Sequence, residues 1–151
     1  MNDRLSLSSI AEVYASGVTP QAFLAGCLAR IAEDEAFNAW ITVLTEAQLE
    51  AYVVALETRP RGPLWGVPFA VKDNIDVAGL PTTAGCEAFA HIPTASAPVV
   101  QALIEAGAIP LGKTHLDQFA TGLVGTRAFS GPCLNSMDPA YLSGGTSSGS
   151  A

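Results

Sequence analysis

Two short apolar runs, Val67 to Val71 and Ala108 to Leu111, each follow a stretch whose apolar residues recur at helical spacing. Helix followed by strand, twice over, predicts an α/β chain with helices layered against a sheet. Thr19-Pro20 reads as an N-cap with proline at the first helical position, and the segment after it places Phe23, Leu24, Cys27, Leu28 and Ile31 on one face. A further helix starts after Thr45, with Leu49, Tyr52, Val53 and Leu56 as its stripe, Glu46, Glu50 and Glu57 toward water, and Arg59-Pro60 at its end. The whole of 1–59 reads as a helical segment. At Pro60 the composition turns to Pro and Gly, with Val67 to Val71 as a buried strand inside it. Ser96 or Ala97 opens another helix through Pro98, Val99, Val100, Leu103 and Ile104, closed by Gly107 where a left-handed cap is wanted. Ala108 to Leu111 is the second strand. From Thr121 onward Gly, Ser and Pro dominate, and 60–151 forms the remainder of the chain, set off only by the helical prefix before Pro60.

Composition narrows the partners. Hydrophobic residues make up 49% of the chain and charged ones 14%, well below the roughly 25% of a typical soluble domain, so disorder and a coiled coil are excluded. Seven Lys+Arg against fourteen Asp+Glu give a net charge of −7, the wrong sign for tracking nucleic-acid phosphates. No run approaches the ~20 apolar residues of a membrane span, and the opening MNDRLSLSS lacks the charged-then-apolar order of a signal peptide. A cytoplasmic protein with a small-molecule partner is expected. Cys27, Cys86 and Cys133 are widely spaced and form no CxxC pair, so they read as buried reduced thiols, with neither a disulfide frame nor a metal site.

Three patterns bear on chemistry. Gly107 to Thr114 matches the phosphate-loop pattern GxxxxGK(S/T), but a helix precedes it, its middle is strand-like, and Pro110 has no N–H to offer a phosphate. Gly145 to Gly149 matches GxSxG, yet the elbow needs a following helix and later acid and histidine, whereas His91 and His115 come earlier. Those histidines read as a loop residue and a helix-start residue. The third pattern is Lys72, at the end of the apolar run, together with the Gly/Ser loop. A lysine desolvated at a strand end has a lowered pKa and can act as a base, with loop hydroxyls relaying the proton; a solvated strand-end lysine and an ordinary turn are the plainer reading.

Gly62 to Ile75, Gly107 to Thr114 and Ser143 to Ala151 together, in this order, resemble the amidase signature family of serine hydrolases, which use a Ser–cis-Ser–Lys triad. Phe119 to Arg127 most resembles the allophanate hydrolases within it. The resemblance implies the N-terminal part of an amidase-signature fold, a mixed β-sheet sandwiched between helices, with the first helices helping to form a homodimer. It makes Lys72 the base and puts Thr146 at the cis-serine position. Threonine keeps the relaying hydroxyl but adds a methyl where the family has a cis peptide. It further implies that Gly144, Gly145 and Ser147 border the substrate, the glycines by letting backbone approach closely. No metal or organic cofactor is implied. The acylating serine and the oxyanion donors belong to a glycine-rich turn past Ala151, so the 151-residue chain alone is expected to release no ammonia from allophanate or simple amides. The reaction implied for the complete enzyme is hydrolysis of allophanate to ammonia and carbon dioxide, in urea degradation, through an acyl-enzyme. Arg127 is the nearby candidate for an acidic substrate, or else a solvated loop arginine. The alternatives are a non-catalytic truncated paralogue serving as a partner module and, third, nucleotide binding through Gly107 to Thr114.

Overall fold

A computed structural model describes residues 5–151; residues 1–4, the start of the stretch read for a leader, lie outside the described residues. Along the chain come α1 (Leu7–Ala15), α2 (Pro20–Glu33), β1 (Trp40–Val43), α3 (Glu46–Glu57), β2 (Pro68–Lys72), α4 (Pro98–Glu105) and β3 (Ile109–Thr114). The first three helices begin at hydroxyl caps that accept an otherwise unpaired backbone N–H. Thr19 does so for Ala22 ahead of Pro20, while Ser6 with Ser9 and Thr45 with Gln48 form reciprocal boxes. Helix α4 starts without a side-chain cap because its N-cap residue, Ala97, carries no acceptor, and the preceding Ser96 hydroxyl accepts from the Ala78 N–H at 2.9 Å. Gly107, at φ +97°, closes it as expected.

The sheet has the order β1-β3-β2, with β3 antiparallel to β1 and parallel to β2. This is the expected mixed sheet of an α/β fold. Its first strand corrects the helical reading of 1–59: Trp-Ile-Thr-Val at 40–43 is β-prone throughout and pairs with residues 112–114. The buried-strand reading fits the other apolar run better. All six residues of β3 are buried, whereas β2 lies at the sheet edge and buries only Val71. Leu24, Leu49, Val53 and Leu56 from the helices meet Val71, Val100, Ile109 and Leu111 in one hydrophobic cluster, so residues on both sides of Pro60 share a core.

Nucleotide binding through Gly107 to Thr114 is corrected by β3 itself, which turns most of that pattern into the central strand. Gly112 serves strand pairing: a Cβ there would sit 2.2 Å from the Thr42 carbonyl oxygen. Lys113 is fully buried in an ion pair and offers nothing to a phosphate. Of the three free cysteines only Cys133 is buried, Cys27 and Cys86 being half-buried. Among the described residues, no helix is long and apolar enough to cross a membrane.

Candidate active site

Register decides which lysine faces what. Lys72 pairs with Thr114 and Val71 with Lys113, so strand alternation sends Lys72 and Thr114 to one face of the sheet and Val71 and Lys113 to the other. On the first face the Gly/Ser segment folds over the strand ends, and Lys72 Nζ donates to Thr146 Oγ1 at 2.8 Å across 74 positions of sequence. Both side chains are half-buried. Burial lowers the Lys72 amine from the ordinary lysine range, and among the described residues no carboxylate forms an ion pair with it. Desolvation against a neutral hydroxyl favours the neutral amine relative to the ammonium, the direction that a base requires.

Gly144 and Gly145 build the turn ahead of Thr146 with φ of +79° and +69°, a region that residues with a Cβ rarely occupy. The Gly145 N–H donates to the Leu123 carbonyl at 2.8 Å. Ser147 follows Thr146, and its carbonyl accepts from the Ser150 N–H at 2.9 Å in the short 3₁₀ turn Ser148–Ser150. Every described peptide bond is trans, so Thr146 is held without the cis linkage that the resemblance implied. Arg127 stands apart as an exposed loop residue whose guanidinium donates to the Thr121 carbonyl at 3.2 Å.

The supports of this pair were missed in the sequence. Asp73, next to Lys72 and fully buried, accepts from Lys113 Nζ at 3.1 Å, from the Thr83 N–H at 3.1 Å and from the Thr83 hydroxyl. Lys113 also donates to the Pro81 carbonyl at 3.1 Å and to Thr82 Oγ1 at 3.0 Å, so all three of its protons are placed. Burial pushes the Lys113 ammonium down, and the Asp73 carboxylate pulls it back up. His115 is no helix-start residue: it leaves the end of β3 and is fully buried, with Ser148 Oγ 2.7 Å from Nδ1 and the Gly131 carbonyl 2.8 Å from Nε2. His91 does lie in a loop, 3.4 Å from Asp76.

Asp117 organises the loop that cradles the Gly/Ser turn. Its carboxylate accepts four backbone N–H bonds, from Val124, Gly125, Thr126 and Arg127, at 2.9–3.1 Å. Burial favours its protonated form, but the four donors outweigh burial and lower its pKa below the usual carboxylate range. The loop so held presents the Leu123 carbonyl to Gly145 and the Gly125 carbonyl to the Cys133 N–H. The lone signal for these roles is chemical: charged residues within an apolar run, such as Lys113 and Asp117, are seldom buried unless partnered.

A family model described as Amidase matches residues 22–151. The chain is 53% identical over 119 residues to the urea amidolyase of Saccharomyces cerevisiae, an alignment covering 76% of this chain and 6% of that protein. It is 45% identical over 129 residues to a glutamyl-tRNA(Gln) amidotransferase subunit of Lawsonia intracellularis, covering 83% of this chain and 27% of the relative. Among solved structures it superposes on Kluyveromyces lactis allophanate hydrolase with a TM-score of 0.85 at 40% identity, over 97% of this chain and 25% of that one. The native peptide amidase of Stenotrophomonas maltophilia gives a TM-score of 0.87 at 28% identity, over 98% of this chain and 33% of that one.

Proposed function

The chain belongs to the amidase family, and from that premise we propose that it supplies the base and the proton relay of an amide hydrolase acting on allophanate. The supporting observation is the 2.8 Å contact between Lys72 and Thr146. The neutral Lys72 amine takes the Thr146 hydroxyl proton, and Thr146 takes the proton of a serine nucleophile outside these residues. That serine attacks the amide carbon, the relayed proton leaves with ammonia, and water then frees the acid from the acyl-enzyme. Gly144, Gly145 and Ser147 border the substrate in this reading. Similarity to urea amidolyase and to allophanate hydrolase supports the substrate, and a cytoplasmic homodimer is part of the same proposal. The chain spans 6% of the yeast urea amidolyase and 25% of the K. lactis allophanate hydrolase chain, so the activity of the whole rests on this proposal.

The test is ammonia release from allophanate and from simple carboxamides by the protein, alone and with the carboxy-terminal part of an allophanate hydrolase supplied in trans. Lys72→Met and Thr146→Val are each expected to lower kcat by about 10²–10⁴-fold, the usual contribution of a positioned base, while Thr146→Ser keeps turnover. Release of ammonia that survives Lys72→Met refutes the mechanism. Turnover of simple carboxamides in preference to allophanate keeps the family and replaces the substrate. No turnover in any mixture, together with a stable protein partner, favours the non-catalytic module.

A further inference from the structure

The Lys72 and Thr146 side chains come from segments 74 positions apart, and the turn carrying Thr146 has few residues of its own with which to hold that register. Besides the Gly145 bond to Leu123 and the 3.3 Å contact between the Ser150 and Thr114 hydroxyls, its anchors converge on one residue. The Gly149 N–H donates to the His115 carbonyl at 3.1 Å, and the His115 N–H in turn donates to the Ala39 carbonyl at 2.9 Å. A Cβ on Gly149 would lie 2.6 Å from the His115 nitrogen, so the turn is pressed against the end of β3 with no slack. The His115 ring adds the side-chain anchor. The Gly131 carbonyl can only accept, so Nε2 carries a proton, and in that tautomer of the uncharged ring Nδ1 accepts from the Ser148 hydroxyl. The Ser148 proton is therefore committed to His115, and the Ser148 carbonyl is committed to the Ser143 hydroxyl at 2.6 Å. Both ends of the segment that carries Thr146 are tied through Ser148 to one buried imidazole.

We propose that His115 is a positioning residue that sets the Lys72–Thr146 distance through Ser148, without touching either of them. The ring joins the end of β3, the Gly131 loop and the Gly/Ser turn. Losing its bond to Ser148 lets the turn lift from the sheet. This rests on the reading of Lys72 and Thr146 as base and relay, where a displacement of about 1 Å costs on the order of 10²-fold in rate.

Three variants test it. His115→Phe keeps the ring and removes both bonds, Ser148→Ala removes only the donated hydroxyl, and His115→Asn keeps an acceptor at the Nδ1 position. Two readouts are taken on each: kcat and KM for ammonia release, and amide hydrogen exchange at residues 145–147. His115→Phe and Ser148→Ala are expected to lower kcat by about 10²-fold with KM within about threefold and to speed exchange at 145–147. His115→Asn restores both readouts toward those of the parent. If His115→Phe fails to fold, Ser148→Ala decides, and unchanged kcat and unchanged exchange in that variant overturn the proposal. If the parent shows no Lys72-dependent turnover, the functional reading fails by itself. Exchange then decides the positioning claim alone: faster exchange in Ser148→Ala upholds it and unchanged exchange overturns it.

Discussion

Replacing Lys113 by methionine probes the other face of the same strand pair. Lys113 and Asp73 have no solvent exposure, and their charged atoms lie 3.1 Å apart. At an effective dielectric of about 20, that separation gives an attraction of roughly 5 kcal/mol, most of it spent on desolvating the two ions. Methionine preserves much of the aliphatic stem, so the loss falls on the charge. Asp73 is left buried with its Thr83 donors and the long Gly85 N–H bond, and the Pro81 carbonyl and Thr82 hydroxyl lose the ammonium. Removing one partner of a buried pair costs about 3–5 kcal/mol, and the remaining Thr83 bonds place this case near the lower end. Urea denaturation followed by the fluorescence of Trp40 and Trp65 is the assay, and with a slope of about 2 kcal/mol per molar the midpoint should fall by about 1.5 M. Adding Asp73→Asn removes the stranded charge while keeping an acceptor for Thr83. The double variant should therefore be more stable than the sum of the single losses, with a coupling of at least about 2 kcal/mol. A loss under about 1 kcal/mol in Lys113→Met, or additive losses in the double variant, would refute the claim that the pair holds β2 to β3.

Two further outcomes follow from the loop and the turn. The folded-state pKa of Asp117 lies below its unfolded value, so its stabilisation is complete above the ordinary carboxylate pKa and disappears as pH falls through the folded one. Asp117→Asn should thus cost about 1.5–3 kcal/mol at neutral pH, with the gap to the parent closing below pH ~4; a gap that stays constant across an acid titration of stability would contradict this account. Gly149→Ala would place a Cβ 2.2 Å from the Ala39 carbonyl oxygen and 2.6 Å from the His115 nitrogen, both rigid backbone. A loss of about 1–3 kcal/mol and faster exchange at residues 145–147 are expected, and an unchanged melting temperature would show that the turn is not pressed on the strand.

Helices α2 and α3 were legible because a hydroxyl cap and a 3.6-residue stripe are local signals, and Leu24, Leu49, Val53 and Leu56 are buried where those stripes predict. Strand β1 was not, because four residues are too short to show alternation and a helical segment adjoins each side. The same limit applies to His115. Its contacts are with Gly131 and Ser148, 16 and 33 positions away, and no spacing rule brings a strand end to a 3₁₀ turn across the intervening loops. Lys113 failed to stand out for another reason. Inside the pattern Gly107 to Thr114 it mimicked a phosphate-binding lysine, and only the β3 register shows that its side chain turns inward to Asp73.

That register also explains why, of the two lysines in the chain, Lys72 is the one to which the proposed mechanism gives the role of base. Burial lowers both, but the consequences differ. Lys113 meets a carboxylate and two oxygen acceptors, a surrounding that holds the proton on the amine and makes the residue structural. Lys72, adjacent in register and on the opposite face, meets the neutral Thr146 hydroxyl and has no ion pair among the described residues, so no carboxylate offsets the cost of its charge there. A one-residue slip between β2 and β3 would exchange these environments. Asp73 opposes such a slip by tying the end of β2 to Lys113 of β3, and the Asp73 N–H reinforces it by donating to the Thr114 carbonyl at 3.1 Å. The buried ion pair thus acts on Lys72 by fixing which face it occupies.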